Sequence, residues 1–216
     1  MPLTVKGPRS RAARYFISAT SGVLPILLGV VILYWQAERT LEQSTAQTAQ
    51  EAVRQFDLML DNTAIAAQAL LPLAGKPCDS AAKLALREQV TRRPFVRATT
   101  LSWQKNIYCS SLFGDSYQSP VNPDDYVDGR LWLMKGNPVT PDTALLVYRL
   151  VQGDQGAFAS VDGYHLTNAL RLISRYAYLV LHVGPNWLGA DGKVHQGALP
   201  VFAVAPQRLA SERYQY

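Results

Sequence analysis

Side chains that commonly bind metals or act as nucleophiles are scarce in this chain of 216 residues, which has two cysteines and three histidines. The histidines, at positions 165, 182 and 195, show no close metal-ligand spacing, so we expect no metal site. The sequence also lacks a glycine-rich phosphate loop, a paired-carboxylate pattern and an internal repeat. We therefore expect no cofactor, and these absences argue against the common metal-dependent and nucleotide-dependent enzymes.

Acidic residues are missing from the N-terminal region, where none occurs before Glu38. Four basic residues lie there instead: Lys6, Arg9, Arg11 and Arg14. The whole chain has a formal net charge of +5, from 21 Lys and Arg against 16 Asp and Glu. Without these four basic residues, the rest of the chain has 17 of the 21 basic residues and all 16 acidic ones, so it is nearly neutral. The net charge therefore gives no reason to expect a nucleic-acid partner.

An uncharged apolar run of 21 residues, from 15 to 35, follows this basic tail. As a helix it would cross a hydrocarbon core of ~30 Å, and its ends are aromatic, as at a membrane interface. A cleaved signal peptide is the alternative, but its apolar core would be only about 7–15 residues long. Because positive flanks stay in the cytoplasm, we expect a single-pass inner-membrane anchor with a cytoplasmic tail (1–14), a span (15–35) and a periplasmic domain (36–216).

Glycine and proline are both absent from Gln36 to Leu71, which predicts one long helix over residues 36 to about 70. Apolar or small residues recur there at steps of three and four, so they share one face: Leu41, Thr45, Thr48, Ala52, Phe56, Met59, Thr63, Ala66 and Leu70. We expect the first half to be a stalk that pairs with a second copy in a homodimer, and the second half to pack on the domain. A helix that lies on its own domain throughout is the alternative.

Helix breakers end this segment at Pro72, Gly75 and Pro77. A second helix, capped by Asp79 or Ser80, is predicted over about 80–92. Its candidate buried positions are Leu84, Leu86 and Val90, and Pro94 ends it.

The remaining residues have the short apolar runs of strands. Residues 95–103 and 107–113 predict one hairpin, and residues 144–151 and 157–161 predict a second. A loop as long as the proline-rich segment 114–142 between them is usually functional or partly ordered over a face, and a short strand is expected at 131–134. After the second hairpin, Asp162 can cap a short helix, and strands at 178–183, 194–195 and 199–205 would complete the sheet.

This order predicts an α+β fold in which a helix pair leads into an antiparallel sheet of five or six strands. Among extracellular sensors the arrangement resembles the PAS/Cache-like sheet.

The two cysteines, Cys78 and Cys109, predict one disulfide if the domain is exported to an oxidising compartment. The bridge would close a loop of about 31 residues between the helices and the first hairpin, worth roughly 3–4 kcal/mol in the chain-entropy model. A purely structural bridge is one interpretation. A switching role is the other, because Cys78 lies in a loop that we expect to be exposed, and exposed bridges are more easily reduced.

The segment around the second cysteine, Tyr108-Cys109-Ser110-Ser111-Leu112-Phe113-Gly114, resembles the motif of the CSS-motif sensor domain. That domain occurs in the periplasm at the N-terminus of bacterial EAL-type cyclic-di-GMP phosphodiesterases. The resemblance extends over nearly the whole chain, from the basic tail and span through the upstream cysteine to the C-terminal strands. In this family the phosphodiesterase activity belongs to the EAL domain, which we do not find here, so we expect these 216 residues to have no enzymatic activity.

The resemblance implies that Cys78 and Cys109 form a disulfide made by a periplasmic thiol oxidase. It further implies that the bond restrains the phosphodiesterase and that the thiol form is active and more open to periplasmic proteases. A Cache-like small-molecule receptor with a structural disulfide, a periplasmic hydrolase and an anchored assembly factor are the rival interpretations.

Two further groups of side chains are candidates for a role. Ser110 and Ser111 should point to opposite faces of a strand and hydrogen-bond to nearby backbone, since no catalytic serine motif surrounds them. A sensor pocket for a small carboxylate would draw on aromatic and charged residues of the predicted strands and insert: Arg97, Trp103, Tyr126, Trp132, Tyr148, Arg149 and Asp162. Ordinary core and surface roles are the alternative for this second group.

Overall fold

The structure is a computed structural model that describes residues 11–173, 178–200, 208–214 and 216, with the backbone alone for residues 11–22. It contains two compact units, the first ending at Ala46 and the second comprising Gln47–Tyr216. Among the described residues, the second unit contains both cysteines, all the strands and the two shorter α-helices.

Helix α1 is continuous over Arg11–Leu70 and contains Pro25. The helix predicted over 36–70 is therefore confirmed, and the predicted membrane segment is helical as well. Among the described residues, one helical stretch, Val23–Leu73, has the length and apolar composition needed to cross a membrane. The large apolar side chains from Val23 to Trp35 are exposed in the single chain.

The predicted apolar face of α1 is buried in its second half only. Ala52, Phe56, Met59 and Leu60 are at most 6% exposed, and the face continues through Thr63, Ala66 and Leu70. Leu41, in contrast, is 63% exposed. The second half of the helix thus packs on the domain as predicted, and pairing of the first half with another copy stays a prediction.

The chain turns sharply between α1 and α2. A 3-10 turn at Leu71–Leu73 follows α1, and α2 spans Ser80–Arg92. The Asp79 side chain caps α2 by accepting a hydrogen bond from the Ala82 backbone N–H at 2.8 Å. The prediction for Leu84 is wrong: this residue is 68% exposed, because α2 buries the face that carries Ala82 and Leu86.

A six-stranded antiparallel sheet lies beyond α2, with the strand order β3-β2-β1-β6-β5-β4. This agrees with the predicted α+β class and strand number. Its strands are β1 (Val96–Trp103), β2 (Asn106–Ser110), β3 (Ser119–Pro120), β4 (Leu131–Met134), β5 (Leu145–Gln152) and β6 (Gln155–Asp162). Helix α3 (Gly163–Ile173) follows β6, and the Asp162 side chain accepts a hydrogen bond from the Tyr164 backbone N–H at its start.

The C-terminal strands do not complete this sheet, which corrects the prediction. Strands β7 (Leu181–Val183), β8 (Asn186–Leu188) and β9 (Val194–Gln196) form a separate antiparallel sheet of three. A hydrogen bond connects it to the larger sheet: the Asn186 side-chain amide donates to the Leu133 carbonyl at 3.0 Å. Of the strand predicted at 199–205, residues 201–205 lie outside the described residues.

The larger sheet is covered on both faces. One face packs on the inner surface of α1, on α2 and on α3, and it carries Leu101, Leu146 and Val161. The other face carries Phe158 and Val147, and Tyr126 and Val121 of the segment 114–142 pack against them. Part of this long segment therefore lies over one face of the sheet, and its strands β3 and β4 form the two edges of the sheet.

Candidate functional site at the Cys78–Cys109 disulfide

Cys78 and Cys109 form a disulfide with a Cα–Cα distance of 5.5 Å. Cys109 lies on β2 opposite Leu101 of β1, and it is fully buried in the main core. Residues 75–77 and 79 are exposed, as predicted for this loop between α1 and α2, whereas Cys78 itself is partly buried. The bridge therefore ties the helix connection to the sheet and leaves only its Cys78 end near the surface.

Two further contacts hold the helix connection on the first hairpin. The Tyr108 hydroxyl accepts a hydrogen bond from the Gly75 N–H at 2.9 Å and donates to the Leu73 carbonyl at 3.3 Å. Burial raises the pKa of Tyr108 above its ordinary value, so the hydroxyl keeps the proton that it donates. Gly75 has φ +82°, and a Cβ there would come within 2.7 Å of the Trp103 ring. We call residues 71–79, with Tyr108, Trp103 and Cys109, the clasp.

A groove of about 540 Å³ lies beside the clasp, between residues 75–77 and the β1–β2 hairpin. Its walls include Pro77, Trp103 and Tyr108. Solvent can therefore approach the chain next to Cys78, whereas Cys109 is covered.

Ser110 and Ser111 both point into the protein, which corrects the prediction that one would face outward. They are 2% and 8% exposed, because β2 ends at Ser110 and the chain turns back to Gly114. The Ser110 hydroxyl accepts hydrogen bonds from the backbone of this turn, at Leu112 (3.2 Å) and Phe113 (3.5 Å). The Ser111 hydroxyl accepts from the Thr99 N–H of β1 at 3.0 Å. The predicted bonding of both serines to backbone is confirmed.

Helix α2 is tied to the same turn. The Thr99 hydroxyl donates to the Leu86 carbonyl of α2 at 2.9 Å, and the Lys83 ammonium pairs with Asp115 at 2.8 Å. The hydrogen bond from Lys83 also lowers the pKa of Asp115. The motif serines thus lie where β1, β2 and α2 meet, directly beside the buried sulfur of Cys109.

We expect Ser111→Ala to lower the free energy of unfolding by about 1–3 kcal/mol. The substitution removes the acceptor of the Thr99 N–H, and an unsatisfied buried donor carries a desolvation cost of that size. Chemical denaturation of the full chain in detergent, followed by tryptophan fluorescence, would measure the change. Ser116→Ala, at an exposed position of the following turn, is the matched control and should change stability by less than about 0.5 kcal/mol. Equal effects of the two substitutions would contradict this role of Ser111.

Comparison with known proteins places this geometry in a family. The profile of a family described as "CSS motif domain associated with EAL" matches residues 41–216, which includes both cysteines and the serine turn. The chain belongs to the CSS-motif family. The resemblance inferred from residues 108–114 is thereby confirmed.

Two relatives from Escherichia coli (strain K12) share this region. The probable cyclic di-GMP phosphodiesterase PdeD is 35% identical over 99 residues, which is 45% of this chain and 18% of PdeD. The probable cyclic di-GMP phosphodiesterase PdeG is 24% identical over 182 residues, which is 80% of this chain and 35% of PdeG. This chain therefore spans at most about a third of the length of these two relatives.

The residues suggested for a ligand pocket do not form one common site in this CSS-motif domain. Trp103 belongs to the clasp. Tyr126 packs on Trp132 and Phe158 with the Arg149 guanidinium over its ring, on the face of the sheet away from the helices. Tyr148 lies in the core on the opposite face, with its ring 6.0 Å from that of Tyr214.

Arg97 and Asp162 also meet, in an ion pair where the start of β1 contacts the end of β6. A binding role for any of these residues stays a prediction.

Sequence reasoning missed the acidic pair Asp57 and Asp61 on α1, which holds the C-terminal segment. Both accept side-chain hydrogen bonds from residues more than 150 positions away: Ser211 and Tyr216 bond to Asp57, and Arg213 and Tyr214 bond to Asp61. Two carboxylates at i and i+4 beside the buried Phe56 could have signalled a partner, because they lie next to the packed face of the helix. Their partners, however, lie too far along the chain for any local pattern to identify.

Proposed function

We propose that residues 36–216 are a periplasmic, redox-responsive sensor domain that regulates a cyclic-di-GMP phosphodiesterase. In this proposal α1 anchors the chain in the inner membrane with its N-terminus in the cytoplasm. The input is the redox state of Cys78 and Cys109, and these 216 residues have no phosphodiesterase activity themselves. Membership of the CSS-motif family, the names of the two relatives and the apolar part of α1 support this assignment.

The observation that carries the proposal is the position of the disulfide. It is the covalent link between the connection that follows α1 and strand β2. If the disulfide is opened, the described contacts that still join the two sides of the clasp include the two hydrogen bonds of Tyr108 and the packing of Gly75 on Trp103. Opening the bond would therefore loosen the connection just after the last turn of α1, and the change would pass along α1 toward the membrane.

The burial of the two cysteines determines which sulfur a reductant attacks first. A thiolate of a periplasmic dithiol reductant would attack the sulfur of Cys78, because Cys109 is fully buried. The S–S bond breaks, a mixed disulfide forms at Cys78, and the Cys109 sulfur leaves and takes up a proton. The second thiol of the reductant then displaces Cys78, so the reductant is oxidised to its disulfide and both cysteines become thiols. A periplasmic thiol oxidase would reverse the exchange by accepting the two electrons.

Thiol trapping in intact cells tests this proposal. We expect a maleimide-linked polymer, added after acid quenching and denaturation of the cells, to add nothing to the untreated protein and two labels to the mildly reduced protein. Tryptophan fluorescence of the purified chain should show that the fold persists under the same mild reduction. The Cys78→Ser/Cys109→Ser variant is the negative control for labelling, because these are the two cysteines of the chain. A bond that opens only when the domain unfolds would overturn the switch and leave a structural staple in a receptor for another signal.

The same proposal includes a homodimer formed through α1. The exposed first half of the helix face, which begins at Leu41, supports it. Cysteine cross-linking from a Leu41→Cys substitution in the Cys78→Ser/Cys109→Ser background would detect this pairing. We also propose that the reduced form is the better substrate for periplasmic proteases, since a loosened clasp exposes more backbone.

A further inference from the structure

A cleft of about 450 Å³ lies away from the clasp, between the end of α2 and the beginnings of β1 and α3. Three arginines are among its lining residues, Arg92, Arg93 and Arg97, together with one acidic residue, Asp162. The cleft is therefore positively charged, although the chain outside the N-terminal tail is nearly neutral.

The ion pairs around the cleft leave one of these charges unbalanced. Asp162 uses one carboxylate oxygen for Arg97 and the other for the Tyr164 N–H, so both of its oxygens are occupied. Arg92 points to the surface and pairs with Glu88 at 3.0 Å. Arg93 has no ion pair with any described residue, and its Nε is buried without a hydrogen-bond acceptor.

An unpaired buried donor on a charged group needs an explanation, because such groups in folded proteins nearly always have a partner or a bound water or ion. Arginines near the end of a helix complement its dipole, which accounts for positive charge at this place. The dipole does not account for an arginine in the cleft that has no ion pair with any described residue. An anionic ligand would balance this charge through the part of Arg93 that lines the cleft, because the buried Nε offers no surface that a ligand atom could reach.

The backbone beside Arg93 is strained in a way that shapes the cleft. Phe95 has φ +70°, a region that is unfavourable for a bulky side chain and is found mainly where the surroundings impose it. Its ring meets His165 of α3 edge-to-face with centroids 5.4 Å apart. This pair lines the same cleft as Arg93, and the bulge of β1 at Arg97 turns that residue toward Asp162.

We propose that this cleft binds a small organic carboxylate, with the carboxylate on Arg93 and the organic part against Phe95 and His165. The planar fork of a guanidinium matches the two oxygens of a carboxylate. The site is separate from the clasp and would give the domain a second, chemical input that does not depend on the redox proposal.

Thermal unfolding of the full chain in detergent, with the disulfide intact, tests this site. The probes are acetate, succinate, citrate and benzoate at 10 mM, each compared with sodium chloride of equal ionic strength, and benzamide serves as the uncharged match of benzoate. For a Kd of about 1 mM we expect at least one carboxylate to raise the Tm by roughly 3 °C and benzamide to leave it unchanged.

The variant Arg93→Gln should lose at least three quarters of that shift, whereas Arg54→Gln should keep it. Arg54 lies on α1 outside the cleft and its side chain is 70% exposed. If none of the four carboxylates shifts the Tm beyond the salt control, or if benzamide acts as well as benzoate, the proposal is wrong. An equal shift in Arg93→Gln also overturns it, and a response to inorganic phosphate alone would mean that the cleft selects phosphate rather than carboxylate.

Discussion

The substitution Cys78→Ser should lower the free energy of unfolding of the second unit by about 3–4 kcal/mol. The disulfide closes a loop with a sequence separation of 31, and the loss of its constraint on the unfolded chain accounts for a change of this size. Cys78 is the better position to change because it is only partly buried, whereas a serine at Cys109 would also place a hydroxyl in the core. Chemical denaturation monitored by fluorescence would measure the effect, and Trp103 lies in the clasp itself.

Two matched samples separate the effect of losing the disulfide from the effect of changing the Cys78 side chain. Wild-type protein with its disulfide reduced should unfold at nearly the same denaturant concentration as Cys78→Ser, which cannot form the bond. The Cys78→Ser/Cys109→Ser variant should be insensitive to reductant. A Cys78→Ser protein as stable as the oxidised wild type would show that the clasp holds without the bond, and the proposed route from the bridge to α1 would then fail.

The substitution Leu60→Ala on α1 should be comparably destabilising, by about 2–5 kcal/mol. Leu60 is fully buried between α1 and the sheet, and removing its branched end leaves a cavity that a packed core fills only in part. In the proposed mechanism this contact surface also transmits the state of the clasp. We therefore expect Leu60→Ala to weaken the difference in phosphodiesterase output between oxidising and reducing conditions in a full-length protein that carries the domain.

Leu58→Ala is the matched control for this prediction. Leu58 lies two residues earlier on the same helix but is 49% exposed, so truncation should cost less than about 1 kcal/mol. The two variants have the same composition and nearly the same helix propensity, so their difference reports burial. Similar stability losses in both would mean that α1 does not pack on the sheet through this face.

Local structure was readable from the sequence wherever one residue type imposes its own geometry. Pro72 and Gly75 end α1, and Asp79 caps α2, because each acts through its own backbone or a bond three residues away. Leu84 shows where this reading fails. Leu84 is as apolar as Leu86, and only the position of the sheet decides which side of α2 becomes buried.

The serine motif shows the same division. Alternation along a strand predicted opposite faces for Ser110 and Ser111, but β2 ends at Ser110 and the following turn buries both. The partner of Ser111 is Thr99, on a neighbouring strand, so the bond depends on how β1 and β2 pair. A local sequence pattern therefore could not predict the burial of the two serines. It could predict that they lie next to the disulfide, because they follow Cys109 directly in the sequence.

The sequence by itself determined the elements whose causes are local: the long helix, the breakers after it, the cap of α2, the two hairpins and a single possible disulfide. Only the tertiary structure decided which distant groups meet. It joined Arg97 to Asp162, left Arg93 without an ion pair to any described residue, set β7–β9 apart as a second sheet and placed the C-terminal segment on Asp57 and Asp61. The physical reason is that helix periodicity, capping and turn chemistry act over a few residues. Packing and charge pairing instead depend on which surfaces the whole chain brings together.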